Sequence, residues 1–169
     1  MIDDKEFEKF SAYKFSIGYP LVCRLEFNPK SRREAGDVVF HFPDREKIFI
    51  SWGKLEDAQK KYPTLDGQAE HTIEVMKKNA NPKTFERLAQ DSLNIHSHKA
   101  AYNHARFEGY IGGGGLLPRR KTVRKEMLSV HLRCENGSRY FVIYSTPSIN
   151  APKDFSDLFL SMAKTFECH

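Results

Sequence analysis

The chain has 169 residues, of which 40% are hydrophobic and 29% charged, with 13 Phe, 7 Tyr and 1 Trp. This length and apolar content predict one folded domain over residues 1–169 and exclude a largely disordered chain. The net charge of +5 favours acidic partners, although 22 acidic residues are mixed among the 27 basic ones.

The cysteines and the absence of targeting patterns predict a cytoplasmic protein. Cys23, Cys134 and Cys168 are an odd number of cysteines without a C-x-x-C spacing, which argues against a disulfide framework and a zinc ribbon, so we expect reduced thiols. The first residues lack the pattern of a secretion signal, and no run approaches the roughly 20 apolar residues that cross a bilayer.

Strand-like alternation dominates the first third of the chain. Large apolar residues alternate with small or polar ones over residues 13–19. A second alternating run, residues 21–27, would place on one face Leu21, Cys23, Leu25 and Phe27. A hairpin with a short turn at residues 43–46 follows. Its buried faces are predicted to carry Val38, Phe40, Phe42, Ile48, Ile50 and Trp52.

Two helical stretches come next. The hydrophobic period changes over residues 55–62, and a longer helix is predicted after Pro63 with Asp66 as its N-cap. The apolar stripe of this helix consists of Ala69, Ile73, Met76 and Ala80. Residues 84–94 remain open between strand and helix, because residues 85–90 have helical propensity.

Long strands and a last helix complete the chain. Alternation resumes over residues 99–110 and is followed by a predicted flexible Gly-rich and basic loop at about residues 112–125. The next hairpin turns at Asn136 and Gly137 and returns over residues 140–145. One face of its first strand carries Leu128, Val130, Leu132 and Cys134. The stripe of the final helix consists of Phe155, Leu158, Phe159, Met162 and Phe166.

Four short segments in this order of elements carry a family resemblance. They are Tyr-x-Phe-x-Ile-x-Tyr-Pro at 13–20, Ile-His-Ser-His-Lys-Ala at 95–100, Arg-Tyr-Phe-Val-Ile-Tyr at 139–144 and Ala-Lys-Thr-Phe at 163–166. On these segments, most of the chain resembles the Mog/PsbP-like superfamily, as a divergent, non-photosynthetic member. The resemblance implies an α+β fold, an αβα sandwich with a central antiparallel sheet flanked by helices. It also implies that residues 84–94 form a strand.

The resemblance further implies a non-enzymatic role. Members of this superfamily assist large complexes, bind a small GTPase or serve as accessory modules. No functional residue of the family is carried over to a position of this chain. We accordingly expect no catalytic residue and no cofactor.

A dense group of cations is the main candidate binding site. It consists of Arg119, Arg120, Lys121, Arg124 and Lys125. Charges this close repel one another, so an anionic surface that neutralises them gains affinity. The alternative is a solvated basic loop without a partner. The preceding glycine run is not a phosphate-binding P-loop, because Leu, Leu and Pro follow it instead of Lys and Ser or Thr opening a helix.

Three histidines are candidate metal ligands: His96, His98 and His104. A predicted turn between the first two would stop them from sharing a strand face, and no carboxylate motif accompanies them. We therefore interpret them as surface or hydrogen-bonded residues, with a metal site as the alternative. Cys168 and His169 lack an orienting third group, so no nucleophile is predicted.

Three classes of function follow from these observations. The sequence favours a non-enzymatic binding or scaffold module that recognises an acidic protein surface through the basic loop or one sheet face. The first alternative is a nucleic-acid-associated protein, in which Tyr102, Tyr110 and Tyr140 would be the candidates for base stacking. The second is a small-molecule-binding protein or an unrecognised enzyme.

Overall fold

Antiparallel strands make up most of the fold. The computed structural model describes residues 7–111 and 121–169, which contain two sheets and three helices. The smaller sheet has the order β1-β2-β10 and consists of β1 (Phe7–Ala12), β2 (Phe15–Pro20) and β10 (Glu167–Cys168). The strands of the larger sheet are β3 (Arg24–Phe27), β4 (Gly36–His41), β5 (Lys47–Lys54), β6 (Glu86–Ile95), β7 (His98–Ile111), β8 (Lys121–Cys134) and β9 (Arg139–Ser145).

The larger sheet has the order β3-β4-β5-β9-β8-β7-β6, and every neighbouring pair is antiparallel. The helices are α1 (Leu55–Lys61), α2 (Leu65–Asn79) and α3 (Phe155–Lys164). No helix of the described residues combines the length and the apolarity needed to cross a bilayer.

Helices cover both faces of the larger sheet. Successive strand residues point to opposite faces, so Leu128 packs toward Phe159 of α3 while Met127 packs beneath Ile73 of α2. The smaller sheet adds Phe15 to the α3 side of the core. This arrangement confirms the predicted α+β fold with an antiparallel sheet between helices.

Both predicted hairpins are confirmed, with one difference in a turn. All six residues predicted to be buried in the first hairpin are buried, and β4 pairs with β5 from Gly36 to His41. The second turn is longer than Asn-Gly alone, because Cys134 pairs with Arg139 across four residues and Ser138 has a left-handed φ of 50°. The ambiguous residues 84–94 lie mostly in β6, as the family resemblance implied.

Three local predictions are wrong near the N-terminal half. Tyr13 and Lys14 form a left-handed turn between β1 and β2 instead of starting a strand. Leu21 is in a turn and 53% exposed, because the chain bends after Pro20 before β3 begins. The N-cap of α2 is Thr64, whose hydroxyl accepts the Gly67 N–H at 3.0 Å, and Asp66 lies inside the first turn.

Arg139 ties the smaller sheet to the larger one. Its side chain is buried, with 2% exposure, and its guanidinium donates to the backbone carbonyls of Tyr13, Lys14 and Arg33. The guanidinium carbon lies 4.9 Å from the centroid of the Phe141 ring. Burial, together with the charge of Arg33, lowers the pKa of Arg139 below its ordinary value. A cation therefore bridges the two sheets through main-chain acceptors.

His131 is a buried titratable group on the α2 side of the sheet. It is 1% exposed, and neither ring nitrogen has a hydrogen-bond partner among the described residues. Burial lowers its pKa from 6.5 to about 4. The unfolded chain therefore binds more protons than the folded chain between these two pH values.

Acidification is expected to destabilise the fold through His131. Because its folded-state pKa is lowered, stability is lost as the pH falls from the unfolded-state pKa toward the folded-state pKa. Between about pH 7.5 and about pH 5 the loss is expected to be about 2 kcal/mol in the free energy of unfolding. Urea unfolding of the native chain and of His131→Gln measures this term. An equal pH dependence in both proteins would contradict it.

Candidate functional site

A groove of about 460 Å³ lies between the β7–β8 ladder and the chain segment 147–156. Four cationic residues line it, Arg106, Arg124, Lys125 and Lys153, and we call it the basic groove. Arg124 and Lys153 are exposed, and Lys125 is half-buried. Among the described lining residues, Glu126 is the only carboxylate.

Glu126 is held by two neighbours on β7. Arg106 is its register partner and donates to Oε1 from two guanidinium nitrogens, at 3.0 and 2.8 Å. The Nε2 atom of His104 lies 2.8 Å from Oε2. Partial burial alone would raise the pKa of Glu126, but the hydrogen bonds from His104 and Arg106 and their charges lower it. The one carboxylate of the groove is therefore ionised and already engaged.

The opposite wall of the groove is fixed by Glu46. This carboxylate is only 6% exposed and accepts the Ser148 backbone N–H at 3.1 Å and the Ser148 hydroxyl at 2.5 Å. Ser148 in turn forms an isolated antiparallel bridge with Lys125 of β8. The next residue, Ile149, is 62% exposed. The wall thus presents an apolar side chain beside the cations.

Cations reach both faces of this end of the sheet. Arg124 and Lys125 are consecutive in β8, so their side chains project to opposite faces. A second cavity of about 420 Å³ lies on the α2 side, and Met76 and Phe107 contribute to its lining. Pro147 and Ser148 line both cavities, so the two openings share one wall.

The five residues of the predicted basic site lie partly in β8 and partly outside the described residues. Arg124 and Lys125 belong to β8, so the prediction of a loop extending to residue 125 is wrong: antiparallel pairing with β7 begins at Lys121. Arg119 and Arg120 lie outside the described residues, and of Lys121 only the backbone is described. Sequence reasoning missed Arg106 and Lys153. Arg106 could have been identified from the strand register, because extending the pairing of β7 with β8 places Arg106 opposite Glu126.

The three histidines do not share one site. His104 bonds Glu126, whereas His96 lies in the turn between β6 and β7 with a left-handed φ of 51° and its Nε2 3.8 Å from Glu167. The predicted turn between His96 and His98 is confirmed by the pairing of Ile95 with His98. His98 instead joins two cysteines at the other end of β7.

Cys134 and Cys168 form a disulfide, with their Cα atoms 6.5 Å apart. The Nε2 atom of His98 lies 3.3 Å from the Cys168 Sγ, and the ligating atoms of all three residues lie within 4.8 Å of one another. We call these three residues the Cys-His cluster. The prediction of three reduced thiols is wrong for two of them, because pairing of β10 with β2 carries Cys168 to the end of β8.

Cys23 is the free cysteine of the described residues. Burial, followed by the charge of Asp44, raises its pKa to about 12. A thiol with so high a pKa carries little thiolate near neutral pH and is a poor nucleophile. The core role predicted for this residue agrees with its burial.

The tyrosines proposed for base stacking are not at the basic groove. Tyr102 is 4% exposed in the core. Tyr140 packs over Gly53 near the opposite end of β9, and the side chain of Tyr110 lies outside the described part. Phe155 is the one aromatic residue among the described groove lining, and it is 3% exposed.

Comparisons with known proteins identify the fold. No protein-family model and no curated protein sequence matches the chain. The Ran-binding protein Mog1p of Saccharomyces cerevisiae is 11% identical with a TM-score of 0.60, over 96% of this chain and 95% of that one. Cyanobacterial PsbP (CyanoP) of Synechocystis is 10% identical with a TM-score of 0.58, over 97% and 93%.

A third similar structure comes from Bacteroides thetaiotaomicron. It is 15% identical with a TM-score of 0.52, and the match covers 96% of this chain but 48% of that one. Together these likenesses confirm a divergent Mog/PsbP-like fold. At such identities they establish the fold and carry no site residue to this chain.

Proposed function

We propose that this chain is a non-enzymatic binding module that recognises an acidic segment of a protein partner in the basic groove. The observation that carries the proposal is the charge balance of the described groove lining: its one carboxylate, Glu126, is already engaged by His104 and Arg106, and the cations Arg124 and Lys153 are exposed. Within the described residues, Arg124, Lys125 and Lys153 have no salt-bridge partner. An acidic segment in the groove would neutralise Arg124 and Lys153, whereas the Lys125 side chain projects to the α2 face of the sheet.

The lining of the groove supports a protein partner over a nucleic acid. Ile149 and Pro152 are exposed beside the cations and suit aliphatic side chains. Binding of single-stranded nucleic acid generally uses exposed aromatic side chains for base stacking, and no described residue of the groove offers one.

The similar structures support a binding role by association only. Mog1p is a Ran-binding protein, and its fold extends over nearly the whole of both chains. A shared fold does not transfer a partner, because binding sites differ among proteins of one fold. The acidic character of the partner is therefore inferred from the charges of the groove and not from the fold.

Charge reversal at the groove is expected to weaken binding of an acidic peptide. The probe is a fluorescent peptide rich in Glu and Leu, with its affinity measured by anisotropy. The double variant Arg124→Glu/Lys153→Glu should bind about tenfold more weakly, because each reversal replaces an attraction by a repulsion. Raising the salt concentration should weaken binding to the native chain, since exposed charges are screened.

The matched control is Lys30→Glu/Lys61→Glu, which makes the same change in net charge at exposed residues outside the groove. The control should bind like the native chain. An equal loss of peptide affinity in both variants would show that the effect depends on net charge alone and would overturn the proposal. Binding of a single-stranded oligonucleotide, with no binding of the peptide, would favour the nucleic-acid alternative instead.

A further inference from the structure

We propose that the Cys-His cluster is a zinc site in the reduced chain and a disulfide in the oxidised chain. Zinc prefers thiolate and imidazole ligands. The cluster supplies two thiolates, from Cys134 and Cys168, and one imidazole, from His98. The proposal is independent of the basic groove, since none of the three residues lines it.

The spacing of the ligating atoms fits a tetrahedral metal. With zinc–sulfur bonds of about 2.3 Å and a zinc–nitrogen bond of about 2.0 Å, a sulfur and a nitrogen ligand lie roughly 3.5 Å apart. The His98 Nε2 is already 3.3 Å from the Cys168 Sγ. Two sulfur ligands lie roughly 3.8 Å apart in the same geometry, a separation that side-chain rotation allows across a Cα distance of 6.5 Å.

The fold holds the three ligands on paired strands. His98 is the first residue of β7 and Cys134 the last residue of β8, and the pairing of Ala100 with Leu132 puts both at the same end of the ladder. Cys134 is fully buried, and Cys168 is positioned by its pairing with Phe15. The described residues add no fourth ligand to the cluster, so one coordination position is left for water or a ligand.

The two forms are linked by a balanced exchange. A dithiol reductant transfers two electrons and two protons to the Cys134–Cys168 bond, which gives two protein thiols and the cyclic disulfide of the reductant. Zinc then replaces the two thiol protons, which are released to solvent. The metal and the disulfide are therefore mutually exclusive.

The test uses the full chain and the metal alone. The chain is reduced with a water-soluble phosphine, freed of metal by gel filtration with a chelator, and titrated with zinc by calorimetry and with cobalt by absorbance. We expect one metal per chain and an intense sulfur-to-cobalt charge-transfer band. The oxidised chain should bind at least about 100-fold more weakly. His98→Ala should weaken binding and keep the charge-transfer band.

The controls separate the site from misfolding and from other thiols. The oxidised native chain is a control with the same sequence, so this comparison does not depend on whether a variant folds. Cys23→Ser removes the one free cysteine of the described residues and should bind metal normally. Cys168→Ser should lose the high affinity. Metal binding without the charge-transfer band, equal binding by the oxidised chain, or no binding by the reduced chain would each overturn the proposal.

Discussion

Replacing Arg139 by Met is expected to lower the free energy of unfolding by about 4 kcal/mol, because three backbone carbonyls lose their buried donor at once. The carbonyls of Tyr13 and Lys14 belong to the left-handed turn between β1 and β2, and the Lys14 carbonyl also accepts the backbone N–H of His169. The third, that of Arg33, lies in the loop between β3 and β4. Urea unfolding followed by tryptophan fluorescence measures the loss, since Trp52 packs against Tyr13.

Two further variants show whether the lost donors are responsible. Arg139→Lys keeps the charge but cannot reach three carbonyls in a fork, so it should recover only part of the stability. Arg24→Met removes an exposed guanidinium whose contact with Glu26 is 3.9 Å and should change the stability little. A loss of less than about 1 kcal/mol in Arg139→Met would show that the two sheets hold together without this bridge.

Reduction of the Cys134–Cys168 disulfide in a chelator is expected to lower the free energy of unfolding by about 4 kcal/mol. The two residues are 34 positions apart, and opening a loop of this length restores chain entropy to the unfolded state. Urea unfolding of the native chain with and without a phosphine reductant measures the difference. Cys23→Ser should show the same difference, since Cys23 takes no part in the bond. An unchanged unfolding midpoint would contradict the prediction.

Local sequence patterns predicted the β4–β5 hairpin and the three helices because these elements are determined by residues that are close together in the sequence. Alternation from Val38 to Trp52 identifies a buried face, and burial of Ile48 and Ile50 follows from it directly. The stripe of α3 was predicted in the same way, with Phe155, Phe159 and Met162 all buried. Residues 84–94 needed the family resemblance, because pairing with β7 overrides the helical propensity of these residues.

The candidate sites depend on contacts that no local pattern records. Cys168 reaches Cys134 only because a two-residue strand, too short to have a period, pairs with β2. Lys153 reaches the basic groove through the segment that Glu46 anchors, and these residues lie far apart in the chain. The sequence pattern around Arg139 predicted only a strand residue, because the carbonyls that accept its hydrogen bonds are more than 100 positions away in the sequence.

The edges of the larger sheet restrict how a partner can approach. The outer strand β6 carries Glu86 and Asp91 on its exposed positions and is interrupted by an irregularity between Arg87 and Ala89. The other outer strand, β3, has four residues, two of them the charged Arg24 and Glu26. Short, charged or bulged margins oppose the addition of a foreign strand. Binding of a partner by addition of a β-strand is thus disfavoured at both edges of the larger sheet, and selectivity for a partner depends on side-chain contacts.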